Sequence, residues 1–172
     1  MKYIEPNPAI EGWMSNEELQ WLFDKGREME NIVEVGSWMG KSTHAFLSTA
    51  KPVVAVDHFL GSASQIDGPH IWAKTNDLYA AFKRNVGHFS NLTVMKMDSV
   101  RASQFFRNRS IGMVFIDGDH EMALTDIQAW LPKCKHILAG HDRNEGSVPK
   151  AIREIPEAVN INLPGSLWSI EI

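Results

Sequence analysis

Four short apolar runs recur along the chain, each closed by a glycine or an acid: IVEVG (32–36), PVVAVD (52–57), LTVMKMD (92–98) and IGMVFID (111–117). Runs of this length, rich in β-branched residues, suit strands buried on both faces of a sheet. HILAG (136–140) repeats the pattern. Helical signals fill the intervals. Residues 15–30 have Ser15 as a cap, Glu17 and Glu18 in a first turn where the helix dipole favours negative charge, and a stripe of Leu19, Leu22, Phe23 and Met29. Further helices are expected over 41–49, 72–88, 99–106, 121–131 and 148–155, the last with Pro149 tolerated in its first turn. Alternation of strand and helix makes a mainly parallel α/β sheet covered on both faces. The chain end breaks the rule. AVNINLPGSLWSIEI reads as two strands joined by Pro164–Gly165–Ser166, and a short turn joins antiparallel neighbours. The sheet should therefore carry one reversed strand, in a C-terminal hairpin.

The chain of 172 residues shows no repeat, low-complexity tract or linker, so one domain over 1–172 is expected. No apolar run approaches the roughly 20 residues of a membrane helix. The opening MKYIEPNPAIEGW is broken by prolines and acids, unlike a secretory signal. Cys134 is the only cysteine, which fits a reducing, cytoplasmic setting. A net charge of −4 without a basic stripe argues against a nucleic-acid partner.

The first glycine-ended run continues into EVGSWMGKST (34–43). Its right end looks like a phosphate loop, G-x-x-x-x-G-K-[ST], and MVFID at the end of the fourth run resembles the strand that ends in the magnesium-binding aspartate of such a site. Gly36 and Gly40, however, enclose one residue too few, which changes the amides that face inward. Trp38 and Met39 add bulk where a phosphate must approach. A dinucleotide loop asks for glycine two residues after the first, where Trp38 stands. What remains is a nucleoside carrying no phosphate, such as S-adenosylmethionine. Gly36 and Gly40 provide a turn beside its amino-acid portion. Asp57 can accept from two ribose hydroxyls at once, and Asp98 from the adenine amino group. All lie at C-terminal ends of strands, where open α/β sheets bind ligands.

EVGSWMGKST, VAVDHFLGS, MDS, FIDGDHEMALTDIQAWLPKC and ILAGHD, in that order, resemble class I S-adenosylmethionine-dependent methyltransferases. More narrowly, the chain is similar to the small group related to macrocin- and sugar-modifying O-methyltransferases and to cephalosporin-hydroxylase-like proteins. The resemblance runs from about residue 15 to the end and implies a Rossmann-like three-layer sandwich. By it, Glu34, Gly36, Ser37 and Gly40 would surround the methionine part of the cofactor, and Trp38 would cover that tail or pack on a neighbouring helix. Asp57 would hold the ribose with His58 beside it, Phe59 would line the adenine, and Asp98 and Ser99 would sit at its edge. Lys41 and Ser42 would be first-turn helix residues.

DGDH (117–120) and HDRN (141–144) both follow strands and should build the acceptor side. Asp117, Asp119, His120, His141 and Asp142 offer oxygen and nitrogen groups there, Asp117 bordering the cofactor as well. Methyl transfer needs an acceptor oxygen oriented and made more nucleophilic. A divalent cation does both, and a histidine does the second near neutral pH. Metal-dependent relatives carry an acid after the fourth strand and an acid or amide pair after the fifth. Asp117 and Asp142 match. His141 stands where a carboxylate is usual, which favours manganese, iron or zinc over magnesium, or no metal at all. His44, His70, His88 and His136 lack such company, so surface or packing roles are expected for them.

The polar insert 58–72 follows the ribose acid and reads as a lid, with Trp72 closing over the substrate or anchoring the next helix. The expected activity is O-methylation of a hydroxylated small molecule such as a sugar or glycosylated metabolite. A non-catalytic S-adenosylmethionine-binding or assembly protein and a hydroxylase-like member of the same fold are the alternatives. The chain lacks the long N-terminal helical extension of many relatives, leaving room for a partner subunit, as in a homo-oligomer, to complete the site.

Overall fold

A computed structural model describes residues 1–62 and 68–172. Helix α1 (Asn16–Arg27) opens on a capping box. Ser15 accepts from the Glu18 amide, and Glu18 accepts in return from the Ser15 amide. The strands are β1 (Ile32–Val35), β2 (Val53–Asp57), β3 (Leu92–Lys96), β4 (Ile111–Ile116), β5 (Cys134–Gly140), β6 (Val159–Asn160) and β7 (Trp168–Glu171). Between them run α2 (Lys41–Leu47), α3 (Gly68–Thr75), α4 (Leu78–Val86), α5 (Ser99–Ser103), α6 (Ala123–Trp130) and α7 (Val148–Arg153). One sheet has the order β3-β2-β1-β4-β5-β7-β6. Its first five strands are parallel, and β7 is antiparallel to both β5 and β6. This is the mostly parallel, helix-covered sandwich with a reversed C-terminal strand.

Alternation along each strand sorts the core into two layers. Met113, Phe115, Ile137 and Ala139 pack with α1, α2 and α4 on one face. Val114, Ile116 and Leu138 pack with α5, α6 and α7 on the other. No helix among the described residues is long and apolar enough to cross a membrane.

Two expectations change. The single helix over 72–88 is two, because the Asp77 carboxylate accepts from the Ala80 amide and starts α4 afresh. The terminal hairpin has a loop over 161–167, not a three-residue turn. Asn160 ends β6 early by accepting from the Asn162 amide through its side chain, and the Ser166 amide is pinned to Glu18 at 2.8 Å. Of the insert expected as a lid, residues 63–67 lie outside the described residues. Trp72 is 37% exposed and lines no part of the cavity described below.

Candidate active site

The loop after β1 is built by three close approaches. Gly36 has φ +83°, and a Cβ there would lie 2.2 Å from the Asp117 carbonyl oxygen, so only glycine lets the loops after β1 and β4 touch. Asp57 Oδ2 accepts from the amides of Ser37 (2.8 Å) and Trp38 (3.0 Å), and Oδ1 accepts from that of Phe59 (2.6 Å). A carboxylate has about four lone-pair sites. The carboxylate expected to take two ribose hydroxyls is therefore largely committed to holding the loop, with about one site left.

Glu34 is fully buried behind the loop, where its carboxylate accepts from the hydroxyls of Ser37, Ser42 and Thr43 at 2.5–2.8 Å. Burial pushes its pKa up to about 7 against those three hydroxyls, with the Asp117 charge adding to the rise. Thus the serine and threonine of GKST serve an internal acid. Lys41 reaches the Gly12 carbonyl at 3.3 Å and Glu5 at 3.6 Å, tying down the N-terminal segment.

A cavity of about 410 Å³ opens above the C-terminal ends of the strands, within the range of small-molecule sites. Gly36, Ser37 and Trp38 line one side, and Asp57 and His58 follow. Asp98 and Ser99 mark the β3 end, while Asp117, Asp119, His120 and Asp142 mark the ends of β4 and β5. Four expected residues do not line it. Glu34 lies behind the loop. Gly40 caps α2, and a Cβ there would meet Val86 on α4. Phe59, 4% exposed, packs between Tyr79 and Phe82 instead of against an adenine. His141 is 7% exposed and sits beneath the floor.

That position makes His141 a hub. Its Nε2 lies 3.0 Å from Glu18 Oε1, and its Nδ1 lies 2.9 Å from Asp142 Oδ1 and 3.6 Å from Asp117 Oδ1. Burial opposes its charge, but hydrogen bonds to Asp117 and Asp142 and their charges push it up to about 11. Asp142 Oδ2 bonds His120 Nε2 at 2.8 Å. Burial works against the Asp142 charge, yet the two imidazoles hold its carboxyl well below the usual range. Burial raises Asp117, with His141 pulling the other way. The bond to Asp142 raises His120, whose carbonyl also accepts from Ser147 Oγ. Ligand atoms of Asp117, His141 and Asp142 fall within 4.8 Å of one another.

Three features escaped the sequence. Residues 11–14 form one wall of the cavity, although the resemblance begins near residue 15. There Trp13 stacks on His70 at 5.6 Å, and both meet Trp38 at 5.3 and 5.0 Å. His70, expected only at the surface or in packing, thus lines the cavity. Trp38 has φ +48° and, among the described residues, a buried Nε1 with no partner, a loss of about 1–3 kcal/mol that an acceptor atom in the cavity would relieve. Asp126, 3% exposed, also lines the cavity. It shares the inward stripe of α6 with Ala123, Ile127 and Trp130, and a lone acid on an apolar stripe was the signal available.

A family model described as "Methyltransferase domain" matches residues 33–142. No curated protein matches the chain. Among solved structures, a methyltransferase from Geobacter sulfurreducens superposes with TM-score 0.67 at 13% identity, covering 92% of this chain and 79% of that one. An O-methyltransferase from Bacillus cereus in complex with SAH gives 0.63 at 13%, covering 93% and 83%. An SAH-bound methyltransferase from Podospora anserina gives 0.60 at 14%, covering 92% and 79%. At such identities these likenesses speak for the fold.

Proposed function

This chain belongs to the methyltransferase-domain family, and from that premise we propose that it moves the methyl group of S-adenosylmethionine to a hydroxyl oxygen of a small molecule. One observation carries the reading: a single cavity joins a glycine turn and the strand-end acids Asp57 and Asp98 to the Asp117–His120–Asp142 cluster. The first part suits a nucleoside with an amino-acid tail. The second suits proton removal from an acceptor.

The cofactor would supply a methyl group on a sulfonium, open to in-line displacement. Ser37 and the turn at Gly36 would hold the tail, and Asp57, fixed by three amides, would offer its remaining lone pair to the ribose. Asp117 and the His120–Asp142 pair would orient the acceptor hydroxyl and take its proton. The donor set Asp117, His141 and Asp142 also fits a divalent cation. Glu18 occupies His141 Nε2, so Nδ1 is the atom turned towards the two carboxylates, an arrangement seen in carboxylate–histidine–metal sites. One nitrogen among two carboxylates suits manganese, iron or zinc as well as magnesium. Such a cation would anchor the acceptor oxygen and lower its pKa.

Methyl-labelled S-adenosylmethionine offered with a panel of hydroxylated glycosides, polyols and phenols, with and without manganese or magnesium, tests the reading. Label should appear in a methyl ether. Cofactor binding with no transfer in any arm would move the protein to the non-catalytic binders.

A further inference from the structure

We infer that Asp126 reads the position-6 edge of the cofactor's adenine, a specificity role beyond the ribose and strand-end residues. The inference rests on the reading of the cavity as an S-adenosylmethionine site. Four observations carry it. Asp126 projects from α6 to line the cavity at its β3 end, together with Met97, Asp98 and Ser99. It is 3% exposed. Its Oδ2 lies 3.5 Å from where a Cβ on Gly118 would stand, so it reaches the turn after β4. The nearby Ser99 hydroxyl favours its charged form.

The Ser99 oxygen already accepts from Trp130 Nε1 at 2.8 Å, and the hydroxyl favours the charged form of the neighbouring Asp126. Ser99 is thus engaged by α6. Asp98, the acid expected to read adenine, is exposed and caps α5 by accepting from the Arg101 amide at 2.9 Å. Water can serve an exposed carboxylate. It cannot easily serve a buried one, and buried polar groups left unpaired are the strongest discriminators between ligands. A carboxylate accepts hydrogen bonds and cannot donate them when ionised. Adenine presents an amino donor at position 6, whereas hypoxanthine presents a carbonyl there. Burial pushes the Asp126 carboxyl up to about 6, with Ser99 opposing and the Asp98 and Asp119 charges adding, so at pH 8 the group is ionised.

The test compares S-adenosylhomocysteine with S-inosylhomocysteine, in which oxygen replaces the 6-amino group, by calorimetry at pH 8 on the full chain. The wild type should favour the adenosyl ligand by about 100-fold or more. Asp126→Asn, whose amide can turn either a donor or an acceptor to the base, should cut that preference below about tenfold, chiefly by gaining inosyl affinity. Thermal unfolding of the variant shows whether it is folded. A wild-type preference under about threefold overturns the role without any variant, and so does an unchanged preference in a folded Asp126→Asn. If neither ligand binds the wild type, the cofactor reading itself falls and this role with it. If S-adenosylhomocysteine binds but the preferences fail, only the role of Asp126 falls.

Discussion

Glu18 Oε1 lies 3.0 Å from His141 Nε2, although the two residues are far apart in the chain and both are buried. The same carboxylate accepts from Ser15 and from the Ser166 amide. One side chain thus caps α1, pins the loop before β7 and orients the imidazole beneath the cavity floor. Gly165, with φ +54°, is required beside it, since a Cβ there would fall 2.0 Å from Glu18 Oε1. Glu18→Ala should cost about 2–4 kcal/mol, combining a lost cap with a stranded buried imidazole. Urea unfolding measures this. A loss below about 0.5 kcal/mol, the size of an ordinary surface change, would show that the junction does not hold the floor.

Gly36→Ala forces a Cβ against the Asp117 carbonyl at a positive φ. The loops after β1 and β4 must then part. We expect a destabilisation above about 2 kcal/mol and at least a tenfold loss of cofactor affinity. A variant that melts and binds as the wild type does would contradict the contact.

The parallel sheet and its reversed strand were legible because apolar runs alternating with helical stretches, and two terminal apolar runs too close together for a crossover helix, are local signals. The acids at strand ends were legible for the same reason. Long-range pairings were not. Nothing local tells that Ser42 and Thr43 turn inward to Glu34, that Lys41 anchors Gly12, or that Trp13 walls the cavity. Phe59 looked like an adenine contact from its place after Asp57, but its backbone at φ +59° sends the ring towards α4. His141 was legible as a member of the cluster, not as the buried residue whose two nitrogens both face carboxylates.

Glu34 gives a pH signature. Its carboxyl rises from 4.5 to about 7 through burial, against the hydroxyls of Ser42, Thr43 and Ser37. The folded chain therefore holds this proton more tightly than the unfolded one. The group's contribution to stability is complete below pH 4.5 and is lost as pH climbs through about 7. Relative to Glu34→Gln, the wild type should lose up to about 3 kcal/mol over that window, at 1.36 kcal/mol per pH unit. Urea unfolding of both proteins at several pH values measures the difference. Parallel curves would contradict it.

Asp117→Asn keeps the shape of the floor and removes a charge beside the acceptor. Affinity for S-adenosylhomocysteine should change by less than about threefold, while turnover on any accepted substrate should fall by about 10²–10⁴. Single-turnover rates beside binding titrations measure both. An active Asp117→Asn would remove Asp117 from the chemistry.

Titrating S-adenosylhomocysteine into the wild type and into Asp57→Ala by calorimetry tests most directly whether the cavity is a cofactor site. The wild type should bind at one site per chain with micromolar affinity or better, and Asp57→Ala should bind at least tenfold more weakly, because the loop after β1 loses two amide contacts and Phe59 a third. No heat from the wild type with either S-adenosylhomocysteine or S-adenosylmethionine would contradict the assignment at its root.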